Sequence, residues 1–178
     1  IERYHEKFEK ISVTDDLKSA VEKASGKYIS FIDSNDYIHE EMIEKMVNAS
    51  KKDDLDIAMC QMTSNDDETN EFDEDLHDLN LSIFKMLEKD VFSHEDILEF
   101  ITQIYSKPFN KLFKTSFLRE KEIEFSKNIF HDEIFFYDAI LKAERISVVR
   151  ENLYVRRFNN RFIKGNEHDN YLDIFPAF

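Results

Sequence analysis

One segment limits the folds open to this chain more than any other. Residues Gly26–Met46 read GKYISFIDSNDYIHEEMIEKM. A run that is apolar on both faces apart from Ser30, Tyr28–Ile32, stops at Asp33-Ser34-Asn35-Asp36. An amphipathic helix pattern follows, with Met42, Ile43, Met46 and Val47 at helical spacing between Glu40 and Lys51. A strand without polar alternation is one covered on both sides. A second apolar run, Leu55–Met62 (LDIAMCQM), comes next. Strand, helix and strand in that order make a crossover, which requires a parallel or mixed sheet with helices against it. The expectation is an α/β fold with a mixed, mostly parallel sheet flanked by helices.

The other elements fit around this unit. KISVT (Lys10–Thr14) alternates as a short strand. DDLKSAVEKAS places Leu17, Ala20, Val21 and Ala24 at helical spacing, with Asp15 or Asp16 as N-cap and Gly26 just past the end. Thr63–Asn80 is rich in Asp, Glu and Asn and reads as an exposed loop. Leu81–Lys89 and His94–Ile104 are helical patterns, the second opened by Ser93 with Asp96 three residues on. Lys107–Phe125 starts extended and turns helical around Thr115–Glu120. Asn128–Lys142 is helical and Arg145–Phe158 strand-like in two pieces. Residues 1–165 read as one partial domain, and 166–178 as a tail or the start of another segment.

Composition narrows the function. With only two Gly and two Pro in 178 residues, turn-dense sandwiches and propellers are disfavoured. A formal charge of −14 argues against nucleic acid as a partner, since phosphate backbones are held by Lys and Arg. The bases gather near Lys107–Lys127 and Arg145–Lys164, so an anionic ligand would be met by the second half. A lone Cys60 excludes an internal disulfide and fits a reducing compartment. No apolar run approaches the ~20 residues of a membrane span. The expected location is cytoplasmic, at the inner face of the membrane if at any.

Two acidic clusters carry the chemistry. Asp33-Ser34-Asn35-Asp36 stands at the tip of a buried strand, where open α/β sheets bind ligands. Its oxygens suit a hard divalent cation that also takes phosphate oxygens from a substrate. The plainer reading is a turn at Asp33 and a helix start at Asp36. No P-loop or EF-hand spacing is present. His131-Asp132-Glu133 opens a helix, which suits a positioned general base as well as simple compensation of the helix dipole. Lys111, Lys114, Arg156, Arg157 and Arg161 would either neutralise a diphosphate or form a solvated basic face.

Three blocks, in order, resemble a family 2 glycosyltransferase of the GT-A fold. They are ASGKYISFIDSNDYIHEEMIEKM, similar to the stretch with the D-x-D metal motif; PFNKLFKTSFL, similar to the N-K-[LM] segment; and IFHDEIFFYDAILKAERISVVRENLYVRRF, similar to the E-D block and the strand after it. The resemblance implies inverting transfer of a sugar from a nucleotide diphosphate sugar to a hydroxyl of a carbohydrate or glycolipid acceptor, in bacterial surface polysaccharide or glycoconjugate synthesis. It implies Asp33, Asn35 and Asp36 as ligands of Mg²⁺ or Mn²⁺. By the resemblance Asp33 would face the nucleotide ribose or the metal and Asp132 would be the catalytic base, while Lys111 and Arg157 of the basic cluster are the residues expected to meet the nucleotide diphosphate. The chain departs from the family pattern where Asn35 replaces the second acid and His131 replaces the Glu of the E-D pair. The family's opening P-x-Y-N strand and Asp-Asp-Gly-Ser loop are not in the sequence, so the GT-A fold is expected to be incomplete at the N-terminus, with the remainder of a longer chain or an oligomer completing it. The departures also point to an alternative, a non-catalytic relative serving in binding or assembly.

Overall fold

A computed structural model gives the fold; it describes residues 16–66, 72–73, 89–126 and 131–158. Helix α1 (Leu17–Lys23) begins at Asp16, whose carboxylate accepts from the Lys18 N–H at 3.1 Å. The expected glycine stop does not occur. Ala24 is already extended, and Arg119 closes the helix end by donating to the carbonyls of Val21 and Ala24 at 2.7 and 2.6 Å. Gly26 answers a different need, because a Cβ there would lie 3.1 Å from the Tyr28 carbonyl oxygen.

Strand β1 (Tyr28–Ser30) leads to the turn at residues 33–36, and β2 (Tyr37–Ile38) follows it. Helix α2 (Met42–Asp53) buries Met42, Met46 and Ser50, as its spacing requires, and ends where Asp54 takes a left-handed conformation (φ 47°). Strand β3 (Ile57–Asp66) is longer than expected: Thr63–Asp66 belongs to it rather than to a loop, and β4 (Phe72–Asp73) pairs with its end. The expected strand at Lys10–Thr14, the rest of the acidic loop, and all but the last residue of the helix at Leu81–Lys89 lie outside the described residues.

Glu95–Gln103 is a 3-10 helix, and Asp96 accepts from the Ser93 N–H at 2.9 Å, one half of a capping box. Strand β5 (Lys111–Lys114) runs directly into α3 (Thr115–Glu120). Helix α4 (His131–Lys142) and strand β6 (Ile146–Phe158) complete the chain. The two pieces read in β6 are one strand. Its pairing with β3 is irregular where Cys60 faces Val149, Gln61 faces Asn152 and Met62 faces Tyr154.

The sheet is mixed, in the order β1-β5-β3-β6-β2. Its parallel pairing, β3 with β6, is the long one, while β1–β5, β5–β3, β3–β4 and β6–β2 are antiparallel. The share of parallel pairing is therefore smaller than expected. The crossover from Tyr28 to Ile57 does connect strands of the same direction, since both are antiparallel to β5, but β5 lies between them.

Alternation along β3 separates two cores. Ile57 and Met59 face a cluster with Val21, Phe31, Phe113, Phe117, Phe135 and Ile140, whereas Ala58, Cys60 and Met62 face one with Met42, Met46, Leu153 and Tyr154. The first is aromatic: Phe135 meets Phe31, Phe113 and Phe125 at centroid distances of 5.5, 5.2 and 5.4 Å. No helix among the described residues is long and apolar enough to cross a membrane.

Candidate functional site

The turn after β1 is held from two directions. Within it, Asp33 accepts from the Asn35 N–H at 2.8 Å, and the Asp36 N–H donates to the Asp33 carbonyl at 3.2 Å. Such Asx geometry is what a short acid-polar-acid stretch adopts at a strand tip. Across the sheet, the Tyr154 hydroxyl donates to Asp36 Oδ2 at 2.6 Å and accepts from the Asp33 N–H at 3.2 Å. The Arg157 N–H donates to Asp36 Oδ1 at 3.0 Å. Both oxygens of Asp36 are thus engaged by β6, which gives this carboxylate an anchoring task ahead of the metal-ligand role expected of it. Burial pushes the Asp36 carboxyl above its ordinary range; the Tyr154 and Arg157 bonds oppose this, and the Asp33 charge adds to it.

Tyr154 was not singled out as a site residue in the sequence. Its ring is fully buried in the second core. A buried tyrosine hydroxyl needs a partner, and that is the one signal in ENLYVRRF that pointed to it.

Asp132 stands in the first turn of α4. Its carboxylate lies 3.3 Å from His131 Nε2 and 3.5 Å from Lys107 Nζ. Lys107 also binds Glu133 Oε1 at 2.6 Å, while Glu133 Oε2 is buried with no hydrogen-bond partner.

Tyr105 ties the two acidic clusters together. Burial raises the pKa of its phenol, Arg156 lowers it, and the charges of Asp36, Asp132 and Asp33 all raise it further. Carboxylates from two segments far apart in sequence, Asp33 and Asp36 in one and Asp132 in the other, therefore contribute to the potential at this phenol. The Arg156 guanidinium lies 5.6 Å from the Tyr105 ring centroid and that of Arg157 lies 5.0 Å from the Tyr37 centroid, so both cations stand beside the turn.

Lys111 is the clear correction. It was expected to meet a diphosphate, but it is fully buried. Its Nζ donates to the carbonyls of Tyr105 and Lys107 at 2.8 and 2.6 Å and to Asn110 Oδ1 at 2.7 Å. An ammonium has three N–H donors and all are used, leaving none for a ligand. Burial pushes its pKa down, to about 7. Cys60 is also interior, and burial pushes its thiol up to about 12, so it is no nucleophile.

A divalent cation can be judged against this donor set. Among the described residues no group of three or more His, Cys, Asp or Glu side chains is placed to hold a metal ion. The turn offers the hard oxygens of the Asp33 carboxylate and the Asn35 amide, while both Asp36 oxygens already accept from β6. The Asp36 carboxyl is raised chiefly by burial, with the Asp33 charge a lesser contribution that a cation between the two would offset. Oxygen donors of this type are those a hard divalent cation takes, but alone they do not make a closed all-protein cage.

The family model described as Glycosyl transferase family 2 matches residues 14–120, more than half of the chain. A poly(ribitol-phosphate) beta-glucosyltransferase of Bacillus spizizenii is 32% identical over 131 residues, covering 72% of this chain and 18% of that protein. The poly(ribitol-phosphate) beta-N-acetylglucosaminyltransferase TarS of Staphylococcus aureus is 24% identical over 137 residues, 76% of this chain and 22% of its own. The crystal structure of S. aureus TarS 1–349 superposes with a TM-score of 0.63 at 22% identity, covering 88% of this chain and 46% of that one. Its complex with UDP-GlcNAc gives 0.62 at 21% identity, over 89% and 45%. The architecture is of the GT-A type, and the chain spans less than half the length of these relatives.

Proposed function

This chain belongs to glycosyl transferase family 2, and on that premise we propose that it carries the metal-binding and acceptor-activating part of an inverting glycosyltransferase. The substrates would be a nucleotide diphosphate sugar and a hydroxyl of a bacterial surface polymer. The observation that carries this reading is the family match over residues 14–120, which takes in the acidic turn that β6 holds through Tyr154 and Arg157. The strand-tip turn with Asp33 and Asp36, and the helix start with Asp132, act on the same phenol.

In this reading Asp132 is the base. It takes the proton from the acceptor hydroxyl as that oxygen attacks the anomeric carbon, while the bond from that carbon to the diphosphate breaks on the opposite side. His131 and Lys107 flank the carboxylate and hold its direction. Asp33 and Asn35, with Asp36 behind them, would hold the divalent ion, whose chemistry is to offset the negative charge gathering on the leaving diphosphate. Arg156 and Arg157 add positive potential beside the turn. The relatives point to a polyol-phosphate polymer as the acceptor and a UDP-sugar as the donor.

A second reading, a non-catalytic binding or assembly module, is favoured by Asn35 in place of an acid and by the commitment of Asp36 to Tyr154 and Arg157. One pair of measurements separates the two: UDP release from a panel of UDP-sugars with Mn²⁺ and a poly(ribitol-phosphate) acceptor, and calorimetric binding of UDP with Mn²⁺. The transferase reading expects turnover that Asp132→Asn lowers by about 10²–10⁴-fold without loss of UDP binding, and binding that Asp33→Ala removes. Binding without turnover on any donor would favour the module. Neither binding nor turnover would sink the reading.

A further inference from the structure

We propose that Lys111 is a positioning residue for Asp132: its buried ammonium pins the loop at residues 105–107 so that Lys107 lies against the Asp132–Glu133 pair. The assignment of Asp132 as the base rests on the function proposed above; the mechanical link from Lys111 to Lys107 does not.

Lys111 is the first residue of β5; it pairs with Met59 on β3, and its carbonyl accepts from the Ser30 hydroxyl of β1 at 2.8 Å. Its neighbour Asn110 is fixed as well. The Asn110 amide donates to the Cys60 carbonyl at 2.7 Å, and the Cys60 N–H donates to the Asn110 carbonyl at 3.0 Å. From this base the ammonium reaches back to the carbonyls of Tyr105 and Lys107. It also lies 4.7 Å from the Phe136 ring centroid, four residues after Asp132 in α4. One buried cation thereby links the loop, the sheet and the helix that bears Asp132. Three oxygen acceptors match the three protons of an ammonium, so the brace is complete while Lys111 is charged and loses one hydrogen bond as pH rises through its lowered pKa of about 7.

The consequence passes through Lys107. Its carbonyl is held by Lys111 and its side chain crosses to Glu133 and Asp132. Glu133 Oε2 is buried and unpartnered, so the bond from Lys107 to its other oxygen is the contact that offsets a partly buried charge. If the loop moves, Glu133 loses that compensation, and the first turn of α4, with Asp132 in it, moves too.

Zero-length carbodiimide coupling tests this on the chain without any ligand, because Lys107 and Glu133 are already in contact. Peptide mass spectrometry would read the Lys107–Glu133 and Lys107–Asp132 amides in the wild type, with Lys107→Met as the blank. In Lys111→Met, folded by circular dichroism, the yield should fall about tenfold, as when hydrogen bonds to a charged donor are lost. A yield equal to wild type overturns the proposal. Should Lys111→Met not fold, lysine Nζ NMR of the wild type decides. One ammonium with slowly exchanging protons and Overhauser contacts to Tyr105 and Phe136 is expected, and exchange as fast as that of surface lysines overturns it. Where the chain turns over, Lys111→Met should lower kcat about tenfold or more with the donor KM unchanged, which a purely structural lysine would not do. Absence of turnover counts against the proposed function alone, since the coupling yield is independent of it.

Discussion

Tyr154→Phe is the sharpest test of how the strand-tip turn is held. The substitution keeps the buried ring and removes one oxygen, so no cavity beyond the hydroxyl itself is made. That oxygen donates to Asp36 at 2.6 Å and accepts from the Asp33 N–H at 3.2 Å. A hydrogen bond to a charged acceptor is worth ~1.5–3 kcal/mol, and one between neutral groups ~0.5–1.5 kcal/mol. Asp36 is only half-buried, so water takes over part of the first contribution. The expected cost is about 2–3 kcal/mol in urea unfolding at pH 7. A double-mutant cycle apportions it. In an Asp36→Ala background the charged bond is already gone, and the cost of removing the hydroxyl should drop to about 1 kcal/mol, a coupling of roughly 1–2 kcal/mol. A cost below about 0.5 kcal/mol, or a full cost that persists in the Asp36→Ala background, would refute the idea that Tyr154 fixes this turn through Asp36.

Two further outcomes follow from the same contacts. Because burial raises the folded-state pKa of Asp36 above its ordinary value, its contribution to stability is present below the unfolded pKa and is lost as pH rises through the folded one. The stability of wild type relative to Asp36→Asn should therefore fall as pH rises above the ordinary aspartate value of about 3.9, and a difference that grows with pH there would contradict the burial. Phe135→Ala removes the ring that meets Phe31, Phe113 and Phe125 in a fully buried site. It should cost about 3–5 kcal/mol in equilibrium unfolding, and a cost near 1 kcal/mol would mean that the aromatic cluster is not the main core.

The alternation and spacing that made α2, β3, α3 and α4 readable are local properties: period and composition suffice, and the elements formed where they were expected, within a few residues at their ends. The strand-tip acids were readable for the same reason, since Asp33-Ser34-Asn35-Asp36 follows an apolar run whatever the sheet does next. Local signals went wrong where a distant group decided the outcome. Gly26 reads as a helix stop, yet Arg119, far along the chain, closes α1. Thr63–Asp66 looks like loop by composition, but β6 offers a parallel partner and the strand continues.

By itself, the sequence determined an α/β chain with a polar, acidic turn at a strand tip and a second acidic pair at a helix start, because residue type and short-range periodicity encode those directly. That the strand is a half-buried edge strand rather than one covered on both sides was decided by the sheet order. Only the tertiary structure decided that β5 stands between β1 and β3, that Tyr154 and Arg157 lock Asp36, and that Lys111 faces inward to a loop rather than outward to a phosphate. The physical reason is the range of the forces. Helical and strand patterns are set by neighbours a few residues away, whereas the fate of a lysine ammonium or a tyrosine hydroxyl depends on which oxygens the packed chain brings within about 3 Å, and no window of sequence contains them.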